Sequence, residues 1–142
     1  MKDPYNLQRF VDAQEGTYAS VVAELRAGNK QSHWMWFFFP QLAGLGRSPT
    51  AQYYGVASLE EARAYLIYGP LGDRLAECVD AILQWAGRRS AEEILGPVDA
   101  MKLRSSLTLF NTAEPGGLFG EPLSAFFDGP DERTLAQLDG AG

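Results

Sequence analysis

Nine residues, Ser32-His33-Trp34-Met35-Trp36-Phe37-Phe38-Phe39-Pro40, hold two of the three tryptophans, three of the eight phenylalanines and the one histidine of this chain. A chain with such a segment must build a core to receive it. Each large aromatic buries roughly 150–250 Å2 and contributes on the order of 2–3 kcal/mol when it leaves water. His33 then has two readings: a core imidazole satisfied by a backbone carbonyl, or the polar tip of a cavity walled by Trp36. Wound as a helix, the segment puts His33, Trp36, Phe37 and Pro40 on one face and Trp34 and Phe38 on another. That helix is apolar nearly all round and is expected to be central. Pro40 restricts Phe39 and should end it there.

The rest of the chain is punctuated by helix starts and stops. Asp3-Pro4 places a cap before a proline, ahead of Leu7, Phe10, Val11 and Gln14 at helical spacing. Thr17 caps a second run carrying Tyr18, Val21, Val22 and Leu25, and Gly28 stops it. Ser48-Pro49 starts a short helix through Tyr53 and Tyr54. Ser58-Leu59-Glu60-Glu61 and Ser90-Ala91-Glu92-Glu93 read as capping boxes, in which the glutamate bonds back to the cap nitrogen. Pro70 opens a helix with Leu71, Leu75, Cys78, Val79, Ile82, Leu83 and Trp85 on one broad face. Asp99 precedes a helix over 100–112 with Leu103, Leu107 and Phe110 as its core stripe. Pro122 and Asp131 begin the last two. No Asn-Gly hairpin, alternating strand pattern or internal repeat is present. The expected fold is all-α, one domain over 1–142 with about seven to nine short helices, and 142 residues suffice for a real core.

Eighteen acidic residues against twelve basic ones give a net charge of −6. That field opposes nucleic acid and anionic membranes as partners, although a local basic patch can still hold one phosphate. The longest apolar run, Trp34 to Phe39, is far short of the roughly 20 residues of a membrane span, and Met1-Lys2-Asp3-Pro4 opens no signal peptide. A cytoplasmic location is expected. Cys78 is the single cysteine, so an internal disulfide is excluded, and with one histidine neither a metal site nor a cofactor is expected. On the apolar face of its helix, Cys78 is no nucleophile either.

A second cluster of chemistry lies in Lys102-Leu103-Arg104-Ser105-Ser106-Leu107-Thr108, where Arg104, Ser105, Thr108 and Thr112 fall on one helical face. Small hydroxyls beside an arginine fit either a helix interface closed by side-chain hydrogen bonds or an anion-recognition surface. If this helix meets the aromatic one, His33, Trp36, Arg104, Ser105 and Thr108 make a site for a small anionic or nucleotide-like ligand. Lys30 and Lys102 would extend its positive charge. A Ser105–His33 nucleophile pair is conceivable within it. The Gly44-Leu45-Gly46-Arg47 loop lacks the Lys-Ser/Thr ending of a phosphate-binding loop and reads as a flexible turn. The competing reading is an interaction module or homodimer, with exposed aromatics and Tyr53, Tyr54, Tyr65 and Tyr68 as its surface.

Several phrases in order along the chain carry a family resemblance: Asp3-Pro4-Tyr5-Asn6-Leu7-Gln8-Arg9-Phe10, Ser32-His33-Trp34-Met35-Trp36-Phe37, Phe39-Pro40-Gln41-Leu42, Gly44-Leu45-Gly46 and Lys102-Leu103-Arg104-Ser105-Ser106. The chain resembles the small bacterial family known as domain of unknown function 1810, some of whose members bear a calpastatin label. The resemblance implies a mainly α-helical single domain and no established activity. Calpastatin-like inhibition does not fit, because those inhibitors are disordered and this chain is rich in core residues.

Overall fold

A computed structural model describes residues 3–45 and 47–141. Among these residues there are ten α-helices, all-α as expected and one more than the seven to nine anticipated: α1 (Gln8–Gln14), α2 (Tyr18–Arg26), α3 (Met35–Phe38), α4 (Pro49–Tyr53), α5 (Leu59–Ile67), α6 (Leu71–Leu83), α7 (Ala91–Leu95), α8 (Pro97–Ala113), α9 (Gly120–Phe126) and α10 (Glu132–Ala141), with one 3-10 turn at Ala43–Leu45. Among the described residues, sheet pairing is a single parallel bridge, Leu42 to Val56.

The central helix is α8 rather than the aromatic segment. From Ser105 to Phe110 every residue of α8 is buried, the signature of a helix packed on all sides. It packs against α3, α5, α7, α9 and α10, while α6 joins α2 to α5. It also starts earlier than Asp99, because Pro97 occupies the first turn after Gly96 at φ +89°.

The aromatic segment makes only one helical turn, α3. Glu24 explains why. Its carboxylate accepts the amides of Gln31 (2.7 Å) and Ser32 (3.1 Å), the Ser32 hydroxyl (2.6 Å) and the Trp34 indole N–H (2.9 Å). These bonds hold residues 31–34 in a tight loop, and Pro40 ends the turn from the other side. Trp34, Met35, Phe38 and Phe39 still reach the core, and Trp36 and Phe37 are half-buried. Burial alone would raise the Glu24 carboxyl, but the bonds from Ser32, Trp34 and Gln31 bring it down to about 2.

The serine caps form as expected. Ser48, Ser58 and Ser90 each accept the amide three residues on, and the box at Ser90 is complete. At Ser58 the box is only half made. Glu61 instead takes the Ala57 amide (2.9 Å) and pairs with Arg9 at 3.0 Å, both side chains buried. Asp3 also acts differently from a simple cap: Pro4 and Tyr5 form a turn, and the Asp3 carboxylate reaches across it to the Leu7 (2.7 Å) and Gln8 (2.9 Å) amides. Thr17 precedes α2 without capping it, its hydroxyl donating back to the Gln14 carbonyl (3.0 Å). Gly28 stops α2 at φ +69°, with the Trp85 ring so near that a Cβ would lie 2.7 Å from it.

Candidate functional site

Three pieces of chain enclose a cleft of about 260 Å3. The outer side of the first turns of α8 gives Val98, Met101, Lys102 and Ser105. The segment from α3 to α4 gives Trp36, Gln41, Leu45, Arg47, Ser48 and Ala51, and the start of α10 gives Asp131 and Arg133.

Lys102 lies over one wall, its Nζ 3.9 Å from the Trp36 ring centroid. The same Nζ is 3.2 Å from an Asp99 oxygen, and the other oxygen of that carboxylate is 2.9 Å from Lys30 Nζ. One carboxylate therefore serves two ammonium groups, and the cluster keeps a net positive charge. Arg47 and Arg133 are exposed, and neither guanidinium makes a hydrogen bond or ion pair among the described residues. The Trp36 indole N–H, shielded from water, likewise has no acceptor among the described residues. A donor left so costs about 1–3 kcal/mol unless something else accepts it.

Asp131 fixes the far wall. One of its oxygens accepts the Thr134 amide (3.0 Å), the Thr134 hydroxyl (2.7 Å) and, more weakly, the Ser105 hydroxyl (3.4 Å). Its own amide donates to Thr108 Oγ1 at 2.8 Å. The cap expected at Asp131 thus forms and also ties α10 to α8.

Of the residues singled out from sequence, the structure brings Trp36, Lys102 and Ser105 together at the cleft. Lys30 stands behind it, 5.2 Å from the Trp34 ring and joined to Lys102 only through Asp99. Arg104 is turned away: its Nε donates to the Gly129 carbonyl (2.8 Å), and its guanidinium lies over Phe127. Thr108 spends its hydroxyl on the Arg104 carbonyl (2.8 Å) and on Asp131. Both expectations for His33 are corrected. It is exposed, neither in the core nor at the cleft, because the bonds from Ser32 and Trp34 to Glu24 turn the residue between them outward. A Ser105–His33 pair does not exist: Ser105 donates to the Met101 (3.2 Å) carbonyl of its own helix.

Sequence reasoning missed Gln41, Arg47, Asp131 as a wall, and Arg133. Just ahead of the Gly44–Arg47 loop, read as a flexible turn, Ala43 N donates to Val56 O and Val56 N to Gln41 O, both 2.8 Å; Gly46, within that loop, lies outside the described residues. The tyrosine set does not make one surface, since Tyr65 is fully buried and Tyr53 is 56% exposed. Burial also pushes the Cys78 thiol up to about 12, with Glu77 adding to it, as expected for an inert cysteine. Among the described residues, no group of three or more His, Cys, Asp or Glu side chains is placed to hold a metal ion, and no helix is long and apolar enough to cross a membrane.

Fold and cleft together define an all-α protein with a small cationic cleft beside its central helix. The family model described as "Protein of unknown function (DUF1810)" matches residues 4–138, and the chain belongs to that family. It is similar to the conserved hypothetical protein Rv1873 from Mycobacterium tuberculosis, known from a 1.38 Å crystal structure. The two are 53% identical over 96% of this chain and 99% of that one, with a TM-score of 0.93. No curated protein matches the chain.

Proposed function

We propose that this protein is a cytoplasmic binding protein for a small phosphate-bearing or nucleotide-derived ligand, held in the cleft between Trp36, Lys102, Arg47 and Arg133. The observation that carries this reading is the convergence of uninvested donors. Two guanidiniums without partners among the described residues and an ammonium that shares its carboxylate with a second lysine all line one cavity. Arginine forks match phosphate oxygens in pairs, and each charge-assisted bond is stronger than a neutral one. A chain of net charge −6 gains nothing in solubility from clustering cations at one cleft, whereas an anionic ligand gains a local attraction inside a field that repels polyanions. The exposed side chains of Val98 and Met101, 65% and 66% accessible, give the mouth an apolar rim.

Calorimetric titration with inorganic phosphate, pyrophosphate, sugar phosphates and nucleotides tests the reading. Wild type should bind at least one of them saturably. The Arg47→Ala/Arg133→Ala double variant should lose tenfold or more in affinity, since a hydrogen bond to a charged group contributes about 1.5–3 kcal/mol, with its melting temperature unchanged. Arg104→Ala, altered outside the cleft, should bind as wild type does. Absence of binding by every compound would end the proposal.

A further inference from the structure

Asp131 is a carboxylate on the wall of a cleft otherwise suited to anions. It is half-buried there beside Arg47, Lys102 and Arg133, yet no ion pair joins it to any of them among the described residues. The donors that reach it, the Thr134 amide and the Thr134 and Ser105 hydroxyls, are neutral, and all of them share Oδ2. Oδ1 accepts no hydrogen bond among the described residues. A negative charge at this wall repels a phosphate held by the guanidiniums, and that repulsion is offset when the ligand brings a donor of its own to the vacant acceptor. Size and stacking restrict the rest of the ligand. The 260 Å3 of the cleft falls below the roughly 300–1,000 Å3 of pockets that take drug-sized molecules. Trp36 is the one aromatic ring among its lining residues, and Lys102 Nζ, 3.9 Å from the ring centroid, covers the face on which a base would stack.

We infer that the cleft selects a small phosphate monoester with a hydroxyl or ammonium donor on the same short skeleton. Its phosphate sits among Arg47, Lys102 and Arg133, and its donor bonds Asp131 Oδ1. This rests on the anion-binding reading of the cleft and narrows it: a nucleotide is too large, and a phosphate without a donor meets an unmatched carboxylate. Asp131 is then the specificity-determining residue, favouring ligands that are anionic at one end only.

Calorimetric titration of wild type and Asp131→Asn with methyl phosphate, glycerol 3-phosphate, phosphoethanolamine and adenosine 5′-monophosphate tests the inference. Wild type should bind glycerol 3-phosphate or phosphoethanolamine about tenfold or more tighter than methyl phosphate, the worth of one hydrogen bond to a charged group. The tighter of the two identifies the donor as hydroxyl or ammonium. Asp131→Asn keeps an oxygen for the Thr134 cap, where Asn serves as well as Asp, and puts an N–H donor in place of the second oxygen. It should erase the preference while methyl phosphate binds as well as before or better, a crossing that a merely structural role for Asp131 would not produce. Methyl phosphate bound as tightly as both donor-bearing esters, tighter binding of the nucleotide than of either, or a preference that survives Asp131→Asn would overturn the inference and leave the anion cleft standing. The first two outcomes are read on wild type, so they hold even if the variant does not fold. Binding of none of the four compounds would overturn both.

Discussion

Arg9 donates five hydrogen bonds, to the carbonyls of Tyr5, Asn6, Tyr53 and Gly55 and to the Glu61 carboxylate, with its side chain 8% exposed. Arg47 and Arg133 are the same side chain and make none among the described residues. The region around Arg9 gathers α1, the end of α4 and the start of α5 onto one guanidinium, so every donor there has a structural task. The cleft also holds charges that the fold uses, Lys102 on Asp99 and Asp131 on Thr134, but Arg47 and Arg133 have no partner among the described residues. Arg9 holds the protein together; these two guanidiniums do not. Glu24 belongs with Arg9, being a charge wholly committed to fixing a loop.

The comparison breaks first at Arg9. Arg9→Ala leaves the Glu61 carboxylate buried with a single backbone donor and the Tyr5, Tyr53 and Gly55 carbonyls without theirs, while Asn6 keeps only the residue-9 amide at 3.3 Å. Removing one partner of a buried pair costs about 3–5 kcal/mol, so chemical denaturation should show a loss of that size or an unfolded protein. The same change at Arg47 or Arg133 should stay within about 0.5 kcal/mol. A comparable loss at Arg47 would mean that the cleft cations are structural too.

Glu24→Gln gives the next largest effect, about 1–2 kcal/mol at neutral pH, from weakening bonds to a charged acceptor. It also carries a pH signature. With the carboxyl at about 2 in the folded protein against an ordinary 4.5, its contribution is fully present above about pH 4.5. It is lost as pH falls toward 2, because the unfolded chain takes up the proton first. Stability curves of wild type and Glu24→Gln should therefore run parallel at neutral pH and converge in that acid window. Parallel curves down to pH 2 would show that the charge of Glu24 does not hold the loop.

What could be seen in the sequence divides by reach. Ser48, Ser58, Ser90 and Asp131 were readable as caps because the partner of each lies three residues away, within the geometry of one turn. Glu61 was half readable. Its local role was plain, but Arg9, 52 residues away, took its carboxylate. The aromatic segment was rightly placed in the core and wrongly drawn as the central helix, since nothing in its own letters shows that Glu24 claims the amides before it. At the cleft, Trp36, Lys102 and Ser105 were legible as chemistry on two segments that had to meet. Arg104 was misassigned because a single residue step turns a helix by about 100°, enough to aim it at Gly129 rather than the cleft. Arg47 and Arg133 are 86 residues apart in the sequence, and only the closed fold brings both to one cleft.

His33 gives the smallest effect and the sharpest check on that account. Were it a core imidazole, His33→Ala would leave a buried group unpaired and cost about 1–3 kcal/mol. As an exposed residue held between two groups bonded to Glu24, it contributes neither packing nor a hydrogen bond among the described residues. The substitution should therefore change stability by no more than about 0.5 kcal/mol. It should also leave phosphate affinity unchanged, because the imidazole is absent from the walls of the cleft. The Ser32→Ala change next to it should cost more, since it removes the 2.6 Å bond to Glu24. If His33→Ala proved the costlier of the two, the loop would be organised around the imidazole rather than around Glu24.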